Sequence, residues 1–114
     1  MITNVIQPLV LKSLDASTLN LIAWFRFDAI GLTHPCNIIR ITNASYIPIN
    51  ISFDAVSISD IMLARTDLTY NFQSNSLLSG KVAMMKKGSF IYINGNGAPK
   101  AGYVYLSGYY NKEF

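Results

Sequence analysis

Residues 36–53 read C-N-I-I-R-I-T-N-A-S-Y-I-P-I-N-I-S-F, and their alternation decides the fold class. Ile39 and Ile41 stand two apart, with Arg40 and Thr42 between them. After Asn43-Ala44-Ser45, which are turn-forming residues, the two-residue beat resumes at Ile49, Ile51 and Phe53, with Asn50 and Ser52 between. Side chains of a strand alternate faces, so this pattern predicts two half-buried strands joined as a hairpin. The β-branched content suits a pleated surface better than a helix.

Outward from this centre the beat recurs. Residues 5–12 predict a strand interrupted by Pro8, which cannot donate to a ladder and therefore marks an edge strand or a change of partner. Residues 13–18 read as a polar connection. Residues 19–27 predict a strand, with Leu21, Ala23, Phe25 and Phe27 on one face and Ile22, Trp24 and Arg26 on the other. Trp24 and Phe25 point opposite ways, one to the core and one to a neighbour. Residues 28–35 form a loop punctuated by Gly31 and Pro35. Residues 54–60 are a connection, and residues 61–65 are one helical turn or a short strand.

A further strand is expected over 67–72, then a polar loop over 73–80 with an apolar plug at Leu77-Leu78. Lys86-Lys87-Gly88 predicts a turn, and 90–94 a strand. Asn94-Gly95-Asn96-Gly97 is the strongest turn signal in the chain and predicts a hairpin loop. The last strand spans 102–110. Some seven to eight short strands without a long helix predict an all-β, antiparallel sandwich of jelly-roll or immunoglobulin-like type. Residues 1–114 form a single domain in this reading, with 1–18 as an extended arm or edge strand.

Composition narrows the function. Only 13% of residues are charged while 51% are hydrophobic, against about 25% charged in an average globular protein. A lone soluble domain needs charged cover, so part of this surface is expected to lie against other subunits. The net charge of +3 comes from six lysines and three arginines spread along the chain. Without a basic cluster, direct nucleic-acid contact is not expected. One cysteine, Cys36, excludes an internal disulfide and a cysteine-rich metal site, and suits a reducing compartment. No basic-then-apolar leader and no apolar run near 18 residues suggest a membrane partner. Asn43-Ala44-Ser45 and Asn50-Ile51-Ser52 match the glycosylation sequon, which carries no weight without a secretory signal.

Catalytic chemistry is not legible. His34 is the only histidine and has no metal-ligand spacing; Cys36, two residues on, would need an orienting group and an oxyanion site to act as a nucleophile. Asp15, Asp28, Asp54, Asp60 and Asp67 fall at expected strand ends or turns, where aspartate bonds local backbone N–H groups. Asp54 and Asp60 bracket one loop but lack a calcium-ligand ladder. The Gly95-Asn96-Gly97 piece opens no helix and so is no phosphate cradle. No enzyme activity, metal or cofactor is expected. The sharper candidates are aromatic: Tyr103, Tyr105 and Tyr109 share one face of the last strand, with Val104, Leu106 and Tyr110 on the other. With Trp24 they are candidates for a subunit interface, and the tyrosine stripe is alternatively a platform for sugar rings.

Taken in order, I-I-R-I-T-N-A-S (38–45), I-N-I-S-F-D-A-V (49–56), L-T-Y-N-F-Q-S-N (68–75), K-K-G-S-F-I-Y-I-N-G (86–95) and G-Y-V-Y-L-S-G-Y-Y (102–110) resemble small virion proteins of tailed bacteriophages. Those chains look like a series R-I-x-N-x-S, I-S-F-D, G-T-x-I-Y-V-K-G and G-x-V-Y-L-S-G-Y-Y. The likeness covers residues 36–110, and it rests on the order and spacing of the pieces. It implies a β-sandwich structural subunit assembled in the host cytoplasm into the virion. The implied station is a homo-oligomeric ring at the portal-vertex collar, a tail component or a capsid decoration. Portal, adaptor, tail or major capsid proteins would be its neighbours, with Lys81, Lys86, Lys87 and Lys100 free to face an acidic one. A tail or capsid accessory binding host-surface glycan is the alternative implication.

Overall fold

Ile39, Ile41, Ile49 and Ile51 are all fully buried, as the two-residue beat requires. The two strands that carry them nevertheless belong to different sheets. The computed structural model describes residues 4–27, 30–72 and 85–113. Within these run β1 (Asn4–Pro8), β2 (Lys12–Asp15), β3 (Phe25–Arg26), β4 (Ile38–Asn43), β5 (Ile49–Ser52), β6 (Asp60–Met62), β7 (Thr66–Asn71), β8 (Tyr92–Asn94) and β9 (Tyr103–Glu113). One sheet has the order β1-β9-β4-β7, with β2 also on β9; the other has the order β3-β8-β5-β6. All pairings are antiparallel. The protein is an all-β sandwich, with nine strands among the described residues, in agreement with the expected class.

The expected hairpin across 36–53 is corrected by this pairing. β4 lies between β7 and β9, while β5 lies between β6 and β8. The Asn43-Ala44-Ser45 turn is a corner at which the chain passes from one sheet to the other. Its cause is the Asn43 side chain, which is wholly buried. Asn43 Nδ2 donates to the carbonyl of Ile47 at 2.9 Å and to that of Leu63 at 3.1 Å. Its Oδ1 accepts from the Ser45 backbone N–H at 3.1 Å and from the Ser45 hydroxyl. All four hydrogen-bonding positions of the amide are thereby used. Leu63 begins the turn from β6 to β7, which also crosses between sheets, so one side chain pins two crossings. The Asn43 sequon is sealed inside this corner.

The glycine-rich loop is corrected in the same way. β8 and β9 do not pair, so 95–102 is a third crossing rather than a hairpin loop. Positive φ falls later, at Lys100 and Gly102. Gly97 is needed for close approach: a Cβ there would stand 2.3 Å from the Leu19 carbonyl oxygen, and its N–H donates to that same oxygen at 3.1 Å. The Tyr46 N–H donates to the Ala101 carbonyl at 2.8 Å and the Ala16 N–H to that of Gly102 at 2.8 Å. The crossings over 16–24, 44–48, 63–65 and 95–102 thus meet at one end of the sandwich.

The strand expected over 19–27 shrinks to Phe25–Arg26. Asn20 defeats the alternation: its Oδ1 accepts the N–H groups of Ile22 at 3.0 Å and Ala23 at 2.8 Å, folding the chain into a turn. The polar connection expected over 13–18 is instead the end of β2 followed by a single 3-10 turn, capped where Asp15 accepts the Ser17 N–H. Pro8 does mark an edge strand, but β1 and β2 keep the same partner. Pro8 stands opposite Tyr109 and Lys12 opposite Leu106, so residues 9–11 face only 107 and 108. This one-residue bulge bends the edge. The polar loop over 73–80, the Leu77-Leu78 plug, Asp28 and Lys81 lie outside the described residues.

Two buried asparagines set up opposite outcomes. Asn37 is 1% exposed, and neither polar atom of its side chain has a hydrogen-bond partner. Removing an unpaired amide releases a desolvation penalty, whereas removing Asn43 strands the buried Ser45 N–H and strips one bond each from the Ile47 and Leu63 carbonyls, which keep the Ser45 and Thr66 hydroxyls. In denaturant unfolding, Asn37→Leu is expected to be neutral or to stabilise by up to about 2 kcal/mol, and Asn43→Leu to destabilise by about 3 kcal/mol or more.

Candidate functional site

β9 is paired on both sides, with β1 and β2 along one edge and β4 along the other. Its side chains therefore divide cleanly. Val104 and Leu106 point into the core, while Tyr103 (48% exposed), Tyr105 and Tyr109 (38% exposed) lie on the outer face. The Tyr103 and Tyr105 rings are neighbours, 6.3 Å apart between centroids and tilted by 34°. Across the ladder, Ser13 and Thr42 flank Tyr105, and Arg40 stands opposite Ser107. Arg40 donates to Asp67 Oδ2 on β7 at 2.7 Å. The hydrogen bond from Arg40 holds the Asp67 carboxyl below its usual range, and Asp67 in turn raises the guanidinium. Both groups are half-exposed, so the pair neutralises charge more than it stabilises the fold. The result is an aromatic and hydroxyl face with its described charges cancelled.

The other aromatic candidates stand elsewhere. Tyr110 is on the inner side of β9, half-buried, and stacks on His34 with ring centroids 3.9 Å apart and an interplanar angle of 1°. Trp24 is half-buried just before β3, at the edge of the second sheet. The geometry therefore assembles Tyr103, Tyr105 and Tyr109, and separates Trp24 and Tyr110 from them.

His34 and Cys36 do not form a catalytic pair in this arrangement. The imidazole faces Tyr110 and the Thr33 hydroxyl, 3.2 Å from Nδ1. The Cys36 thiol instead donates to the His34 carbonyl at 3.3 Å, and burial pushes it up to about 11. A nucleophilic thiol needs the reverse shift. The carboxylates are engaged in structure: Asp15 caps the 3-10 turn, and Asp54 Oδ1 accepts the N–H groups of Val56 and Ser57 at 2.8 Å each. Asp60 accepts the Tyr70 hydroxyl. Among the described residues no group of three His, Cys, Asp or Glu side chains gathers to hold a metal.

A second feature was invisible in the sequence. Where the β1–β2 bulge bends the sheet edge, a cavity of about 100 Å³ opens between the sheets. Leu9, Phe27, Leu32, Phe90, Ile91 and Leu106 supply its apolar walls, with Val10, Lys12 and Thr33 also lining it. Gly31 permits the wall to close: its φ is +79°, and a Cβ there would lie 2.5 Å from the Gly88 carbonyl oxygen. The chain is held in this course by the Leu32 N–H donating to Ser89 O at 3.0 Å and the Gly88 N–H to Leu32 O at 2.8 Å. The only sequence signal was Pro8, which announces an interrupted edge but not the offset that follows it.

These surfaces stand without a guide from relatives: no protein-family model matches the chain, and no curated protein matches it.

The shifted thiol gives a prediction with a sign. Burial raises Cys36 from near 9 to about 11, and burial with the Asp60 bond raises the Tyr70 hydroxyl as well. Both groups hold their protons more tightly when folded, so the unfolded chain loses them first as pH rises. The Cys36 contribution to stability is intact below pH 9 and declines through pH 9 to 11, and that of Tyr70 declines only above its ordinary value of 10. Alkylation of Cys36 at pH 8 should run about a hundredfold slower than for a free thiol, and unfolding midpoints measured from pH 8 to 11 should fall.

Proposed function

We propose that this chain is a structural subunit of a tailed-phage particle, packed with copies of itself into a symmetric ring or decoration at the collar, tail or capsid surface. The observation that carries the reading is the apolar surface of the second sheet's edge. Among the described residues β6 has a strand neighbour on one side only, and Ile61 on it is exposed, as are Val56, Ile58 and Leu63 around it. Of the carboxylates beside it, Asp60 accepts the Tyr70 hydroxyl and Asp54 Oδ1 accepts the N–H groups of Val56 and Ser57. Scattered exposed apolar residues are ordinary, but an open edge strand ringed by them is a template for association. The tyrosine face of the first sheet supplies a second surface of interface composition, rich in aromatic side chains and poor in net charge. The tailed-phage assignment rests on the resemblance of the segments over 36–110.

In this reading the work is mechanical. Copies bury their edges and tyrosine faces against one another and against portal, adaptor, tail or capsid neighbours, and so strengthen a junction in the particle. A second reading is a glycan-binding accessory. It is favoured by the adjacent Tyr103 and Tyr105 rings beside the Ser13 and Thr42 hydroxyls, a combination suited to stacking on a sugar and bonding its hydroxyls.

Native mass spectrometry of the purified chain is expected to give a discrete oligomer, and quantitation in purified particles a fixed copy number. The double variant Tyr105→Ala, Tyr109→Ala should weaken that oligomer by tenfold or more in dissociation constant. An intact oligomer that has lost binding to a glycan array would favour the accessory instead.

A further inference from the structure

Lys12 stands on the inner face of the first sheet. It is paired opposite Leu106 in the β2–β9 ladder, and directly opposed residues share a face. Leu106 is buried in the core, and both residues line the recess beside the β1–β2 bulge. An inward lysine on an edge strand discourages pairing with other chains, but that role calls for no hollow next to it. Here the hollow measures about 100 Å³.

The lining has one sign of charge. Among the residues that line the recess Lys12 is the one charged side chain; Thr33 and Ser89 carry hydroxyls, none is a carboxylate, and the rest are apolar or glycine. Leu32, Ile91 and Leu106 are buried at its floor, while Val10 and Thr33 are exposed and open it to solvent. Its wall is fixed by the positive φ of Gly31 and by the backbone bonds among Leu32, Gly88 and Ser89. A preformed apolar hollow with a few polar groups at hand is the usual form of a small-molecule site, and filling it orders little. A cation with no carboxylate beside it in the lining is complemented by an anion. A dry cavity of about 150 Å³ holds the six carbons of benzene, so about 100 Å³ takes about four.

We propose that this recess binds a small aliphatic monocarboxylate. Its tail of about four carbons lies among Leu32, Ile91 and Leu106, and its carboxylate meets the Lys12 ammonium beside the Thr33 and Ser89 hydroxyls. The site goes beyond the mechanical role proposed above and does not depend on it.

The test is titration of the full nitrogen-15-labelled chain with pentanoate at constant ionic strength, followed by amide chemical shifts. Saturable shifts at Leu32, Ile91 and Leu106 are expected, with a dissociation constant on the order of 1 mM. Acetate lacks the tail, 1-pentanol lacks the charge and pentylammonium carries the opposite one, so each should bind about tenfold more weakly or not at all. Lys12→Met keeps the stem and should weaken pentanoate by about tenfold, removing its advantage over 1-pentanol, while Lys12→Arg should retain it. Circular dichroism melts check that the variants are folded, and Lys12→Gln replaces Lys12→Met should the latter not fold. No saturable shift by about 20 mM pentanoate overturns the site. Shifts confined to residues away from the recess overturn it as well. Equal affinity for pentanoate and 1-pentanol, or of wild type and Lys12→Met for pentanoate, overturns the pairing with Lys12 and the proposal with it.

Discussion

A single buried carboxamide ties together two of the crossings between the sheets. Asn43 ends β4 and spends its donors on the carbonyls of Ile47 and Leu63, one in each of two separate crossings, while its acceptor gathers Ser45. An amide buried without partners is a liability of the order of 1–3 kcal/mol per group. Here every position is filled, so the penalty becomes a constraint: only the fold that brings both corners together satisfies it. The isoleucines provide the larger burial energy, but apolar contact is non-directional and would accept several arrangements of the same strands. The hydrogen-bonded corner selects one.

This concentration of crossings makes the sandwich unequal at its two ends. One end is stitched by backbone bonds among 16–24, 44–48 and 95–102. Toward the other, the sheets part enough to leave an apolar recess beside the bulge. The faces differ as well: the first sheet shows tyrosines and a neutralised ion pair, the second exposed apolar side chains along its β6 edge. A molecule with distinct ends and distinct faces offers chemically different patches on its different sides.

Much of this was legible in the residues and some was not, for definable reasons. Alternation reports which side chains are buried, and Ile39, Ile41, Ile49, Ile51, Val104 and Leu106 are buried as it indicated. It does not report which strand lies alongside. Asn43-Ala44-Ser45 and 94–97 both have the chemistry of tight turns, yet each connects strands of different sheets, because long-range bonds to Leu63 and Leu19 set their course. Over 19–27 a local side-chain bond from Asn20 outweighed the alternation. The tyrosine face could be read from spacing alone. The recess could not, since it arises from a register offset between β1 and β2 that no composition encodes.

The place of β9 has a consequence for how the molecule comes into being. It comes after β1, β2 and β4 in the sequence, yet all three bond to it directly. While the polypeptide is still emerging from the ribosome, the earlier strands of that sheet have no central partner. β4 can pair with β7 in the meantime, but β1 and β2 must wait, with their ladders unmade, until β9 is synthesised. Such long-range closure makes folding slow and leaves the nascent chain open to premature sticking. With only 13% of its residues charged, the unfinished chain has little electrostatic protection during that wait.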